Sequence, residues 1–425
     1  MDVLIRPFAG AMSNKISEKI SACRICGSAS IEDVLDLGAQ PPANSLRKSL
    51  TEPLQSVPLI LCRCDACGTV QLTETVTPDY LFRDYNWVTG TSQTASDYSF
   101  RFRDELLARS ETKPRLAIEV ASNDGTFLKR FSESGIKVIG VDPARNIAAM
   151  AEQAGVPTIA EFFGIDVAKK IAAEEGLADA VFARNVIPHV ADANGVIGGM
   201  AHCLSERGIG AIEFHRADVI LEQLHYDSIY HEHLYYHSLH SIALLIGKFG
   251  LKPFDLIVSP ISGGSFVVYF SKGGRPWTTA FSDMWAREMR LGISKGAPWR
   301  EFALRSEQHR ADLFKLVDAA KRDGRQIVGY GASARSSTLL NFCRIDHSHL
   351  DAVADRSPLK HGRFTPGTDI PIVAPADAFA LKPDIVLLLA WNFQDEIMSQ
   401  IRSEQRWRGD VILPLPGDPR AVRFE

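Results

Sequence analysis

At 425 residues the chain exceeds one ordinary core, so two or three domains are expected. Apolar residues at 45%, charged residues at 23% and a net charge of −4 spread without blocks fit a globular protein. They leave no basic surface for nucleic acid or an anionic membrane, and the longest apolar runs, such as Ile385 to Trp391, fall far short of the ~20 residues a spanning helix needs.

Residues 1–20 hold no sustained hydrophobic stretch and read as a loose leader, not a signal peptide, which places the protein in the cytoplasm. The segment up to residue 76 is short, Pro-containing and Cys-rich. Five of the seven cysteines lie between positions 23 and 67, and in a cytosolic chain that concentration points to metal instead of disulfides. Cys23-Arg24-Ile25-Cys26-Gly27 and Cys64-Asp65-Ala66-Cys67-Gly68 are two CxxC turns. Their four thiolates close a tetrahedron around a structural zinc ion with no open position for catalysis. Cys62 would share a strand face with Cys64, but Cys64 already pairs with Cys67, so Cys62 is only the substitute ligand. Cys203 and Cys343 sit in apolar surroundings as ordinary buried thiols.

Between 77 and 276, the strand-like runs LAIEV (116–120), KVIGVD (137–142), ADAVFA (178–183) and GAIEF (210–214) alternate with helical stretches. That alternation predicts a parallel sheet covered by helices on both faces. After LAIEV comes Ala121-Ser122-Asn123-Asp124-Gly125-Thr126, then a helix. An acid near the strand end (Glu119), a small-residue turn and a helix N-terminus suit a cofactor with cationic and polar parts, with Asn123, Asp124 and Gly125 shaping the turn. Asp142, at the end of the next strand, is placed to accept ribose hydroxyls, although a helix N-cap is the plainer reading. No GxGxxG occurs here, which weakens a dinucleotide reading of this domain.

Six of the twelve histidines fall between positions 215 and 240, centred on Tyr226 to His237. His231 and His233 form an HxH pair that, with Glu232, is a metal-site alternative, although no HExxH spacing exists. General acid–base chemistry fits better: an imidazole titrates near neutrality, and a flanking carboxylate and phenol can orient it. His189, after ADAVFA, would reach the same sheet edge, where α/β ligands bind, though a lone His there is commonly a capping residue.

From 277 to 425, a helical stretch (279–322) precedes RQIVGYG (325–331), LDAVAD (350–355), DIVLLLAW (384–391) and DVILPLP (410–416), a second α/β pattern with an interior parallel strand. Gly329-Tyr330-Gly331-Ala332-Ser333-Ala334, with Asp355 ending the next strand, is a degenerate dinucleotide fingerprint. A bifunctional oxidoreductase holding NAD in this domain is therefore one rival reading. A zinc-stabilised binding module without turnover is another, against which the intact Tyr230-His231-Glu232-His233 counts.

With CGTVQL after the second knuckle, EVASNDG, NVIPHV, YDSIYHEHLYYHSL, GGS at 263–265, GYGASARSSTLLN, DRSPLKHGRFTPGTDIPI and LLLAWNF in this order, the chain resembles the C-methyltransferases of antibiotic deoxysugar pathways, such as those acting on C-3 of TDP-4-keto sugars. The resemblance runs from residue 23 to the C-terminus. It implies an α/β protein with a small N-terminal zinc-binding domain (1–76), a central Rossmann-like methyltransferase domain (77–276) and a C-terminal Rossmann-like α/β domain (277–425) that binds the nucleotide-sugar. S-adenosylmethionine would be held by Glu119, Ala121, Ser122, Asn123, Asp124, Gly125, Asp142, Pro143 and Asn185. His233 would be the base, with Glu232 and Tyr230 beside the sugar and His189 near the keto oxygen. His231, Ser262, Arg335, Lys360, Arg363 and Asn392 are the expected substrate contacts. A monomer is the expectation. The family's EIGSNDG carries Gly where this chain has Ala121, whose methyl is accommodated if φ is negative. HGGS is Ser262-Gly263-Gly264-Ser265 here, EFPY is Glu213-Phe214-His215-Arg216, and the Lys after GYGA is Arg335. These departures fall on the substrate side, so the acceptor can differ from a familiar sugar.

Overall fold

In the computed structural model, which describes residues 16–82, 88–261 and 264–424, the Cys-rich segment folds around short antiparallel strands. β1 (Ser17–Lys19) pairs with β5 (Glu74–Val76), while β2 (Ile31–Gln40), β3 (Val57–Cys64) and β4 (Val70–Leu72) form a meander. On β3, Val57, Leu59 and Leu61 are buried at alternate positions, the period a half-buried strand requires. The expected leader is therefore too long by several residues. Ile16 accepts the Thr77 N–H and the Ser17 hydroxyl donates to Glu74, so the chain is fastened from Ile16 onward.

The central sheet takes β6 (Leu116–Val120), β7 (Lys137–Val141), β8 (Thr158–Ile159), β9 (Ala178–Arg184) and β10 (Leu204–His215) as parallel neighbours. All five residues of β6 are buried, as expected of an interior strand covered on both faces. Next in the chain, β11 (Tyr235–Tyr236) leaves this sheet, and β12 (Lys252–Ser259) and β13 (Ser265–Ser271) return to it. The order is β12-β13-β10-β9-β6-β7-β8. The four strands read from the sequence are parallel as expected, and β13, outside that set, runs antiparallel between β10 and β12. Ser259 pairs with Ser265, and so short a connection cannot carry a parallel crossover, which needs about a dozen residues or more. Between β6 and β9 the connections diverge to opposite sides, the switch point at which open α/β sheets hold ligands.

β11 instead pairs with β4 of the Cys-rich sheet, Tyr235 opposite Gln71 and Tyr236 opposite Val70. The histidine-rich segment is stitched into the zinc-type module this way.

Helices Thr279–Leu291 and Gly296–Arg322 lead to the last sheet. Trp299, Phe302, Ser306, His309, Leu313 and Val317 form the buried stripe of the longer helix, at three- and four-residue spacing. The shorter helix packs back on the central domain: Glu288 accepts the Leu239 N–H with both oxygens (3.0 and 2.9 Å) and Arg287 pairs with Asp218. β14 (Ile327–Tyr330), β15 (Ala352–Ala354), β16 (Ile372–Val373), β17 (Ile385–Leu388) and β18 (Gly409–Leu413) are parallel in the order β16-β15-β14-β17-β18, and antiparallel β19 (Arg420–Phe424) closes the edge. Among the described residues no helix is long and apolar enough to cross a membrane.

Candidate active site

The sulfurs of Cys23, Cys26, Cys64 and Cys67 lie within 4.8 Å of one another. Cys23 and Cys67 are 3.7 Å apart, and Cys26 and Cys64 3.5 Å. Four thiolates about 2.3 Å from zinc in a tetrahedron stand about 3.8 Å apart, so the donor set fits. Gly27 and Gly68, both with positive φ, return their N–H groups to Cys23 and Cys64 and close the knuckles. Two residues along a strand span about 6.6 Å, and Cys62 is outside the cluster, its thiol pushed up to about 12 by burial. Cys203 and Cys343 are buried as expected.

At the carboxyl end of β6, Glu119 is 2% exposed with one carboxylate oxygen lacking a partner, and burial pushes its pKa well above the usual range. An unpartnered buried carboxylate oxygen at the switch point suits a ligand with an ammonium or sulfonium group. Arg184, ending β9, was not anticipated. It pairs with buried Glu213 at 2.8 Å and lies 3.1 Å from the Phe127 ring centroid. Its signal was available: a charged residue closing an apolar interior strand.

The turn after β6 puts Ala121, Asn123 and Gly125 in the left-handed region, with φ of +53°, +51° and +76°. The negative φ that would accommodate the Ala121 methyl is therefore not met, and the methyl is strained in the tight passage from strand to helix. Ser122 is buried behind Gly140, where an added Cβ would meet the Ser122 hydroxyl at 2.4 Å. Asn123 and Asp124 accept the N–H groups of Thr89 (2.8 Å) and Gly90 (2.9 Å), so their side chains fasten an incoming segment to the turn. Asp142 accepts from Asn123 N–H and Ala144 N–H, both at 2.9 Å, which joins the two loops, while the helix from Arg145 takes no side-chain cap from it. Pro143 is half-buried beside it, and Asn185, with φ +51°, donates its N–H to the Glu213 carbonyl.

His233, Tyr230 and His189 come together. The Tyr230 hydroxyl is 2.7 Å from His233 Nε2, and His233 Nδ1 is 3.3 Å from the Ser228 carbonyl. A carbonyl only accepts, so Nδ1 carries the proton and Nε2 accepts from the phenol. Burial, with neighbouring His189, holds His233 well below the usual imidazole range, so the ring is neutral. His189 sits 4.7 Å from it between ring centroids and donates its Nδ1–H to the Glu232 carbonyl at 2.7 Å; burial pushes its pKa down to about 4. The Glu232 carboxylate accepts from Asn44 of the Cys-rich domain at 2.6 Å, and burial pushes it up to about 7. Asn44 was missed by sequence reading, which has no signal for a contact this remote. His231 is 1% exposed, and its Nε2 lies 3.0 Å from the Val57 carbonyl, so that nitrogen is engaged with the Cys-rich sheet. The HxH metal alternative does not form, since the four cysteines are the one metal-ligating group among the described residues.

The carboxyl edge of the C-terminal sheet meets this segment through Asp227. Its carboxylate, 1% exposed, accepts from Arg335 Nε (3.0 Å), Arg335 Nη2 (2.8 Å) and Trp391 Nε1 (2.8 Å). Arg335, expected as a free substrate contact, is committed to that clamp and stacks 4.7 Å from the Trp391 ring. Lys360 is likewise engaged, donating to the Ala332 carbonyl (2.8 Å) and Asp355 (3.2 Å). Arg363 is half-buried, and Asn392 lines a groove with Trp391, Phe393 and Pro416. Ser262 lies outside the described residues. The dinucleotide fingerprint has a packing explanation: a Cβ at Gly331 would meet the Ala390 Cβ at 2.4 Å, and Asp355 already binds Ala332 N–H and Ser357 N–H.

Three family models match in succession: a putative zinc binding domain over residues 23–82, a methyltransferase domain over 93–255 and a C-methyltransferase C-terminal domain over 260–416. The chain is 34% identical over 420 residues to C-methyltransferase NovU of Streptomyces niveus, covering 96% of this chain and 99% of that protein. Solved structures similar to part of it include PH0226 of Pyrococcus horikoshii OT3 (16% identity, 46% of this chain and 96% of that one, TM-score 0.36) and the magnesium protoporphyrin IX methyltransferase of Synechocystis PCC 6803 (14%, 41% and 78%, TM-score 0.32). Near full-length identity to NovU, with the zinc-type, methyltransferase and C-terminal models in register, shows that the chain belongs to the zinc-containing, S-adenosylmethionine-dependent deoxysugar C-methyltransferase family.

Proposed function

We propose that the enzyme methylates the carbon next to a ketone, at C-3 of a nucleotide-linked 4-keto sugar, through an enolate. The observation that carries this reading is the neutral His233 whose Nε2 lone pair meets the Tyr230 hydroxyl at the carboxyl edge of the sheet. Carbon becomes a useful nucleophile only when deprotonated, and a ketone at C-4 makes the C-3 proton removable. His233 Nε2 takes that proton, and the Tyr230 hydroxyl, released from it, donates to the developing oxyanion. His189, edge-on to His233 and tied to the Glu232 carbonyl, keeps the base in place. Glu119, the 121–125 turn, Asp142, Pro143 and Asn185 would hold S-adenosylmethionine, which when bound supplies an electrophilic methyl group. Arg363 and Asn392 remain the proposed contacts for the nucleotide-sugar on the C-terminal side, with Arg335 and Lys360 bracing them. The concentration of thiols in a metal-type cluster supports a reducing, cytoplasmic setting.

Incubation with a TDP-4-keto-6-deoxy sugar in heavy water tests the mechanism. Deuterium should enter C-3 without S-adenosylmethionine, and methylated product should form with it. His233→Asn should lower both rates by about 10²- to 10⁴-fold while leaving S-adenosylhomocysteine affinity unchanged. Absence of exchange and of product from the wild type would end the proposal.

A further inference from the structure

Three buried imidazoles outside the acid–base trio, His215, His225 and His237, each have one ring nitrogen without a hydrogen-bond partner, and the first two lie against each other. His215 ends β10 opposite Ser265 of β13, and its Nε2 is buried without a hydrogen-bond partner. The His225 ring stacks on it, with centroids 5.7 Å and planes 25° apart. His225 Nε2 faces the Gln223 side-chain oxygen at 3.1 Å, so Nε2 carries the proton and Nδ1, also buried and unpartnered, is an acceptor without a donor. Trp391, 4.8 Å from His225, bounds the pair on the side of the C-terminal sheet. A buried polar atom left unmet costs stability, so two on packed rings offer a place that one bound group can complete.

The chemistry of that group follows from its neighbours. Arg335 lies close by, but its charge is met by Asp227, so no free cation draws an anion. Burial and Arg335 both keep the two rings neutral. A hydroxyl can donate to His225 Nδ1 and also satisfy His215 Nε2. The pair lies on the same sheet edge as the catalytic segment, since His215 ends β10 beside β9, and the turn after β9 carries His189.

We propose that His215 and His225 form a recognition subsite that takes one hydroxyl of the methyl acceptor between them. This rests on the nucleotide-sugar reading above and narrows it to acceptors carrying a hydroxyl near the reacting carbon. The test is calorimetric titration of the S-adenosylhomocysteine-loaded protein with TDP-4-keto-6-deoxyglucose and its 2-deoxy and 3-deoxy counterparts. In the wild type, one deoxy sugar should bind about 10- to 100-fold more weakly than the parent. In His215→Phe and His225→Phe, the parent should fall to the affinity of that deoxy sugar. His215→Asn, which keeps a polar group in similar space, should retain part of the discrimination, and unchanged S-adenosylhomocysteine affinity certifies each fold. Equal binding of all three sugars by the wild type, as when a water fills the gap, overturns the subsite, as does discrimination that survives both Phe variants. If methylation and C-3 exchange proceed without discrimination, only the subsite falls; if no sugar binds, the nucleotide-sugar reading falls with it.

Discussion

Replacing Asp227 by Asn tests whether one buried carboxylate holds the C-terminal domain to the catalytic segment. The native group accepts three hydrogen bonds, two from Arg335 and one from Trp391, and its side chain is 1% exposed. Removing one partner of a buried ion pair costs about 3–5 kcal/mol, mostly by stranding the other charge. Arg335 is 15% exposed and can turn partly toward water, and Asn keeps one acceptor oxygen, so about 3 kcal/mol is expected. Adding Arg335→Met removes the stranded charge, and the double variant should recover about 2 kcal/mol relative to additivity. A chain of several domains need not unfold in one step, so the cycle is read on the first urea transition, followed by tryptophan fluorescence. A loss below about 0.5 kcal/mol, or strict additivity of the two substitutions, would refute the clamp.

Glu232→Gln should reveal the strain of burying a carboxyl group. Burial raises its folded pKa to about 7 from an ordinary 4.5, so the native state is penalised where the group must ionise: not at all below pH 4.5, increasingly from there to 7, and fully above. The variant should match the wild type at pH 4.5 and exceed it by roughly 2–3 kcal/mol at pH 8 in urea unfolding; a difference that stays flat with pH contradicts this. Ala121→Gly should relieve the left-handed turn by about 1 kcal/mol, half of it offset by the freer unfolded chain, and raise the melting temperature; a fall would refute the strain. Stripping zinc with a chelator should abolish methyl transfer but leave S-adenosylhomocysteine affinity within several-fold, because β11 and Asn44 depend on the Cys-rich sheet while the cofactor turn does not. Full turnover by metal-free protein, verified by metal analysis, would contradict that coupling.

The features legible in the sequence are those whose cause is local. Two CxxC turns followed by Gly need only their own geometry to bring sulfurs together, and the placement of Glu119 and Asp142 at the sheet's carboxyl edge was readable because one lies next to last in an apolar strand and the other directly follows one. The φ of Ala121 was left open because it is set by the passage from β6 into the following helix, which no propensity reports. His231 came in as a substrate contact through the resemblance, and no local pattern reports that the chain turns there and sets Nε2 against the Val57 carbonyl, the strand beginning only at Tyr235. Asn44 reaches Glu232 across 188 residues, and His215 and His225 meet only once the sheet is built. Arg335 and Lys360 looked like solvent-facing cations for a phosphate because composition cannot show that Asp227 and Asp355 already occupy them.

The pairing of Tyr235–Tyr236 with Val70–Gln71 has a consequence for synthesis of the chain. As the ribosome releases the N-terminal module, its β4 edge stays open until the whole stretch from Leu72 through Tyr235 has emerged. An unfinished sheet edge invites pairing with another nascent chain. Early capture of the metal would rigidify the module during this wait, and starvation for zinc should therefore appear first as aggregation on the polysome, ahead of any deficit in the finished enzyme.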